Sequence, residues 1–282
     1  MVHYVQNVSK KVPEQVLARS SSPIHSPTSR QSQSGVVDLT VGLIRPDTKR
    51  IRVICEDPRR GDSSLHTVRS DRVSYDGALS PPRNALGLVK RIIRMLACSS
   101  DFWLHDCWIV DSTPVPCGMS RPTVKRSDLA GWAGYGYCAS HSRFYWGLKL
   151  YLVCTPTGMP ILWALADPKI GEREVLSAML EVEAGVVAEH DGILLVCDEG
   201  FAGREFETLI GEYGITMLHP SREHEKMRFG EPLLKKVRQL IESVNDTLKG
   251  QLDLENHGGR SFQGVAIRGA QRVLAMAAAI WL

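Results

Sequence analysis

The segment Gly192–Asp198, GILLVCD, constrains this chain most. It is a short, uninterrupted apolar run with no polar alternation. A strand of that kind is buried on both faces, so helices must cover both sides of its sheet. Flanking segments fit this demand. EREVLSAMLEVEA (172–184) and GREFETLIGEYG (203–214) carry apolar residues at helical spacing, the second closed by Gly. ITMLHP (215–220) reads as a strand stopped by Pro.

Upstream, WIVD (108–111) is a short strand ending on an acid, followed by a polar, Gly-rich loop to about Arg143. FYWGLKLYLVCT (144–155), the turn PTG and MPILWALA (159–166) form a hairpin. A helix precedes them at Ala85–Ala97, with Leu86, Val89, Ile92, Ile93 and Leu96 on one face. A long helix from about Pro232 to Leu252 and a last one over Gly264–Leu282 complete the chain. The order is β-β-β-α-β-α-β-α: three antiparallel strands followed by parallel βαβ units, an α/β mixed sheet flanked by helices.

Residues 1–84 read differently. All six Trp and all six Phe lie at or after Phe102, so the first third lacks the usual core anchors. Ser20–Ser34 holds seven Ser and two Pro, too little apolar surface to offset chain entropy. Two short pieces, Val36–Ile44 and Arg50–Asp57, read as strands within a segment that is otherwise expected to be disordered or aberrant. The expected division is therefore 1–84 and a folded domain over 85–282.

Seven Cys, an odd number with no CxxC pair, argue against a disulfide framework or zinc cluster. No apolar run reads as a signal peptide or membrane span, since the ten residues of Val273–Leu282 are too few. A soluble cytoplasmic protein is expected. The net charge of +3 neither demands nor excludes a nucleic-acid partner. Its distribution says more. Residues 171–219 carry 2 basic and 11 acidic side chains, 111–170 carry 6 and 3, and 220–282 carry 10 and 7. A polyanion would approach from the first loop and the last helices. In that loop Arg121, Lys125 and Arg126 lie near Trp132, Tyr135 and Tyr137, a pattern suited to phosphate contact with base stacking as much as to a plain surface loop.

Asp111 and Asp198 both end apolar strands, where ligands bind in open α/β sheets. Two such acids suit a hard cation such as magnesium, although either alone could cap the following turn. In PLLKKVRQLIESVNDTLKGQL, the residues Arg238, Glu242, Asn245 and Lys249 form one polar stripe opposite Leu234, Val237, Ile241, Val244 and Leu248. By itself the stripe reads as a solvated ion-pair face.

Together, IVDSTPVPC, CDEGFAG and RQLIESVNDTLK resemble the DDE transposases of bacterial insertion sequences, which have a ribonuclease-H-like core. The longer spans VKRSDLAGWAGYGYCASHSRFYWGLKLYLVCTPTGMPI and NDTLKGQLDLENHGGRS resemble the branch called insertion sequence nine-eighty-two. The likeness runs from about Leu86 to Trp281. It departs in two places: Lys235 stands where a related motif has Tyr, and Asp198-Glu199-Gly200-Phe201 where Asp-Lys-Gly-Tyr is usual.

The resemblance implies that Asp111, Asp198 and Glu242 are the catalytic acids and hold two magnesium ions, with manganese as substitute. The implied reaction is cleavage at element ends followed by strand transfer. Arg121, Lys125, Arg126, Arg238 and Lys249 would contact DNA. The implied partners are double-stranded DNA, as terminal inverted repeats and target, and further copies of the chain in a homodimer or higher oligomer. The alternatives are a truncated remnant that binds DNA without catalysis and a metal-dependent nuclease on the same core.

Overall fold

The computed structural model describes residues 41–44, 50–57, 62–69, 73–78, 83–118, 121–138, 142–221, 226–228 and 230–282. The Ser/Pro-rich run Ser20–Ser34 lies outside them. Strands β1 (Val41–Ile44), β2 (Arg50–Asp57), β3 (Asp62–Arg69) and β4 (Val73–Ala78) come first, followed by helix α1 (Arg83–Cys98). Next are β5 (Cys107–Gly118), α2 (Arg121–Arg126), β6 (Gly134–Cys138), β7 (Arg143–Cys154) and β8 (Pro160–Ala166). Then come α3 (Glu172–Val182), α4 (Ala184–Val187), β9 (Leu194–Val196), α5 (Arg204–Gly211), β10 (Thr216–Leu218), α6 (Glu231–Asp246) and α7 (Phe262–Trp281).

The strands form one mixed sheet in the order β10-β9-β5-β7-β8-β1-β2-β3-β4, with β6 added to β7. As expected, β5, β7 and β8 are antiparallel neighbours, and β9 and β10 join parallel to β5. The five-strand order β10-β9-β5-β7-β8, with helices in its crossovers, is the mixed α/β architecture read from the sequence. Of the N-terminal pieces read as strands, Arg50–Asp57 is β2 and Val41–Ile44 of the other is β1, its residues 36–40 lying outside the described ones; β1 pairs parallel with β8.

The central run forms a much shorter strand than its composition suggests, because only Leu194–Val196 is paired. Its neighbours nevertheless bury it. Ile193, Leu195 and Val196 are inaccessible, as are Trp108 and Ile109 on β5 and Leu148, Leu150 and Leu152 on β7. Helices α1 and α7 pack together, and Trp281 Nε1 donates to Ser99 Oγ at 3.0 Å. Arg94 on α1 is buried, its guanidinium 3.2 Å from Glu183 and lying over the Trp103 ring. Among the described residues no helix is long and apolar enough to cross a membrane, and Cys98, Cys107, Cys117, Cys138, Cys154 and Cys197 are free thiols.

Three elements depart from expectation. The strand at WIVD continues to Gly118 through Pro114 and Pro116. β9 pairs only with Cys107–Ile109 of β5, so beyond Ile109 β5 is a sheet edge on that side among the described residues. Proline is tolerated there because no neighbouring strand needs its missing N–H. The long loop contains α2 and β6. The long C-terminal helix stops being α-helical at Asp246 and widens into a π-turn over Thr247–Gln251.

The β5–β7 ladder allows no side chain at Gly147. A Cβ there would stand 2.2 Å from the Val115 carbonyl oxygen and 2.9 Å from the Cys117 nitrogen. Both are backbone atoms of the paired strand and cannot swing away. Gly147→Ala is therefore expected to destabilise the fold by about 1–3 kcal/mol, read as a lower urea midpoint with little change in slope.

Candidate active site

Strand register brings the two acids together, although Asp111 lies within β5 and not at its end, where the apolar pattern predicts it. The last rung of the β5–β9 ladder is Ile109↔Val196, and Asp111 and Asp198 each stand two residues beyond it. Because the strands are parallel, both acids emerge at the same rim of the sheet. Asp198 also caps the turn that follows, its Oδ1 accepting from the Glu199 N–H at 2.7 Å. Phe201 closes that turn from within the core and is fully buried, while Glu199 is exposed.

Asp111 is held at both oxygens. Its Oδ1 accepts from the Ser112 N–H at 2.7 Å, and its Oδ2 accepts from Asn245 Nδ2 at 2.7 Å. Burial pushes the Asp111 carboxyl up to about 6, opposed by the Ser112 N–H and reinforced by the negative charges of Asp198 and Glu172. The nearby cation, Lys149, donates to Glu172 Oε1 at 3.0 Å, and Ser112 Oγ donates to the same oxygen at 3.1 Å. Glu172 also fills the space over the Asp198 turn, its carboxylate lying against Gly200.

Helix α6 docks its polar stripe on this pair. Arg238 Nη2 lies 3.6 Å from Asp198 Oδ1, and Asn245 bonds Asp111. Arg238 thus pairs with Asp198 rather than with Glu242, its neighbour on the helix. Glu242 stands between these two contacts in the stripe and is exposed. Lys249 falls in the widened π-turn and is partly buried. In α2, Lys125 and Arg126 are exposed, and Arg121 takes part through its backbone. His257 is buried, with Nε2 on the Pro116 carbonyl at 2.9 Å and Nδ1 accepting the Gly259 N–H at 2.9 Å, a structural role.

The hard oxygen donors of Asp111 and Asp198 suit a divalent cation, which commonly takes one or two carboxylates and completes its shell with water and phosphate. The Asp111 carboxyl, pushed up first by burial and then by the charges of Asp198 and Glu172, is one that such a cation would hold ionised. Among the described residues no three His, Cys, Asp or Glu side chains converge as a metal-holding group, so the third acid does not join the pair in this arrangement.

Sequence reasoning missed Glu172 and Lys149. Glu172 opens α3 and looks like an ordinary first-turn acid. Lys149 carried the available signal: it is a lone charge within the otherwise apolar FYWGLKLYLVCT.

A family model described as a transposase DDE domain matches residues 104–262, more than half of the chain. The match begins just before β5 and ends at the start of α7, so it contains both acids and the α6 stripe. No curated protein matches the sequence.

The raised Asp111 carboxyl makes a stability prediction with a definite sign. Its ordinary value is 3.8 and its folded value about 6, so the folded chain holds this proton more tightly. Stability from this group is greatest below about pH 4 and falls as pH rises to about 6. Asp111→Asn removes the penalty. Without divalent metal the variant should be more stable than the parent by roughly 1–3 kcal/mol at pH 7.5. In urea melts across pH, the difference should vanish below about pH 4.

Proposed function

This chain belongs to the family of transposase DDE domains, and on that premise we propose that it is an insertion-sequence transposase. In this reading it cleaves DNA at element ends and transfers the new strand ends into target DNA. The catalytic acids are Asp111, Asp198 and Glu242, and the catalytic unit spans residues 85–282. The observation that carries the reading is the docking of one helix stripe on two acids of neighbouring segments, Arg238 on Asp198 and Asn245 on Asp111.

Each group then has a task that follows from its surroundings. Asp111 is oriented by two donors, and its carboxylate presents charge toward the rim where Asp198 stands. Glu242 projects from the stripe between the Arg238 and Asn245 contacts and supplies the third carboxylate when α6 moves toward the pair. Magnesium, two ions with manganese as substitute, is the cofactor proposed for these acids, and when bound it supplies the positive charge that stabilises in-line displacement at phosphorus. Arg238 is half-exposed on a weak ion pair, so a phosphate can draw it from Asp198 at little cost. Arg121, Lys125, Arg126 and Lys249 hold the backbone of double-stranded DNA farther out. The active assembly is a homodimer or higher oligomer on terminal inverted repeats. The insertion sequence nine-eighty-two branch is the lineage proposed, on the spans quoted above.

A second reading, a remnant that binds DNA without catalysis, is favoured by one observation: no three acids converge among the described residues. Purified chain incubated with labelled element-end duplex and magnesium separates the two. The transposase reading expects cleaved and strand-transfer products, and a loss of about a hundred-fold or more in Asp198→Asn and in Glu242→Gln. Asn245→Ala, which releases one Asp111 oxygen, should slow cleavage about ten-fold. Equal, metal-independent behaviour of parent and Asp198→Asn would leave only the binding reading. Cleavage without strand transfer would indicate a nuclease.

A further inference from the structure

The β5–β7 pair continues well past the acid rim and carries a third strand, β6, on its far side. In β6 the sequence GYGYC alternates, and the structure gives each half a role. A Cβ at Gly134 would stand 2.3 Å from Asp167 Oδ1, and one at Gly136 would stand 2.7 Å from Pro168 Cβ. The glycine face is therefore pressed on the body of the protein. The opposite face turns outward and exposes Tyr135 by 53% and Tyr137 by 52%, with Phe144 of β7 exposed by 78%. Tyr137 and Phe144 are paired across the strands, their ring centroids 5.0 Å apart. Trp132 is not part of this face. It stacks on Phe262 at 4.3 Å.

Three large aromatics displayed on rigid strands need an occupant. We propose that this arm stacks unpaired bases of a DNA strand, as in a frayed or single-stranded segment at a distance from the cleavage site. The proposal rests on the DNA-processing reading and adds a substrate form to it.

Two observations favour a nucleic-acid strand over a protein. The first is ring spacing. Same-face neighbours on a strand lie about 6.8 Å apart, and bases stack at about 3.4 Å, so the spacing of Tyr135 and Tyr137 along β6 is twice the base step. The second is charge. The excursion between β5 and β7 that carries the arm also carries exposed Lys125 and Arg126 in α2, which suit the phosphates of the same strand. The arm lies apart from the catalytic acids. Asp111 faces Leu152 in the ladder, and Phe144 is eight residues farther along β7, roughly 27 Å at strand rise.

The test uses the full chain in EDTA with three fluorescein-labelled DNAs: a 20-nucleotide single strand, the blunt duplex of the same sequence, and a fork with one frayed end. A second set carries 2-aminopurine, whose fluorescence is quenched by aromatic stacking. The combined variant Tyr135→Ala, Tyr137→Ala, Phe144→Ala should bind the single strand and the fork about thirty-fold more weakly. It should lose the quench, bind the blunt duplex within about three-fold of the parent, and keep its thermal melt. Tyr137→Phe should retain binding and quench. Equal weakening on single strand and duplex, unchanged single-strand binding, or a changed oligomeric mass with unchanged single-strand binding would each overturn the proposal. Cleavage is not read here. A chain that stacks bases yet never cleaves would sink the transposase reading and leave this one standing.

Discussion

The pairing of β5 with β9 is the contact on which the site depends. Three parallel rungs, Cys107↔Leu194 to Ile109↔Val196, decide that two chain segments far apart in sequence end at the same rim. The rungs are held by a core in which Trp108, Ile109, Leu195 and Val196 are buried. Burying that apolar surface is worth roughly 1.5–3 kcal/mol per large side chain. This is the stabilisation against which a poorly solvated carboxylate at position 111 must be set. A one-residue slip of the ladder would turn the side chains of either strand to the other face and separate the acids.

The electrostatics at the rim are unbalanced. Lys149 is nearest in role to a counter-ion, but it bonds Glu172, which also takes Ser112. Asp111 receives neutral donors only, an amide N–H and the Asn245 amide. Neutral donors orient a carboxylate without cancelling its charge, whereas a bound Arg would have lowered the Asp111 carboxyl and satisfied it permanently. Arg238 is instead applied to Asp198, which is half exposed, where solvent weakens the pair. The more enclosed acid, Asp111, thus meets neutral donors only, while the more open Asp198 holds a displaceable cation. That is the polarity a site needs when positive charge must arrive with the reaction.

The element order from β5 onward and the five longer helices were legible because they follow from periodicity, and Asp111, Asp198 and the α6 stripe were singled out because acids after apolar runs and helix faces are local patterns, although Asp111 proves to lie within β5. Glu172 was not. Its significance comes from contact with Ser112, Lys149 and the Gly200 turn, three segments that no spacing rule connects. The extension of β5 was hidden for a different reason. Pro114 and Pro116 argue against a strand in any local reading, and only the early end of β9 makes them acceptable. Likewise Gly134 and Gly136 read as loop residues until the approach of Asp167 and Pro168 shows that they let β6 lie flat.

The early end of β9 also explains how the site opens. Had β9 continued beside β5 past Ile109, a strand would occupy the place where α6 now meets β5. Instead the pairing stops, the Asp198 turn bends away through its cap, and Asn245 reaches Asp111 across the vacated edge. A helix contact of this kind is made by side chains, not by a backbone ladder, so it can loosen without unravelling the sheet. Glu242 sits on that helix, whereas Asp111 is held within β5 and Asp198 caps the turn after β9. In the proposed function, bringing Glu242 to the pair is a movement of α6, whose end is the π-turn at Thr247–Gln251.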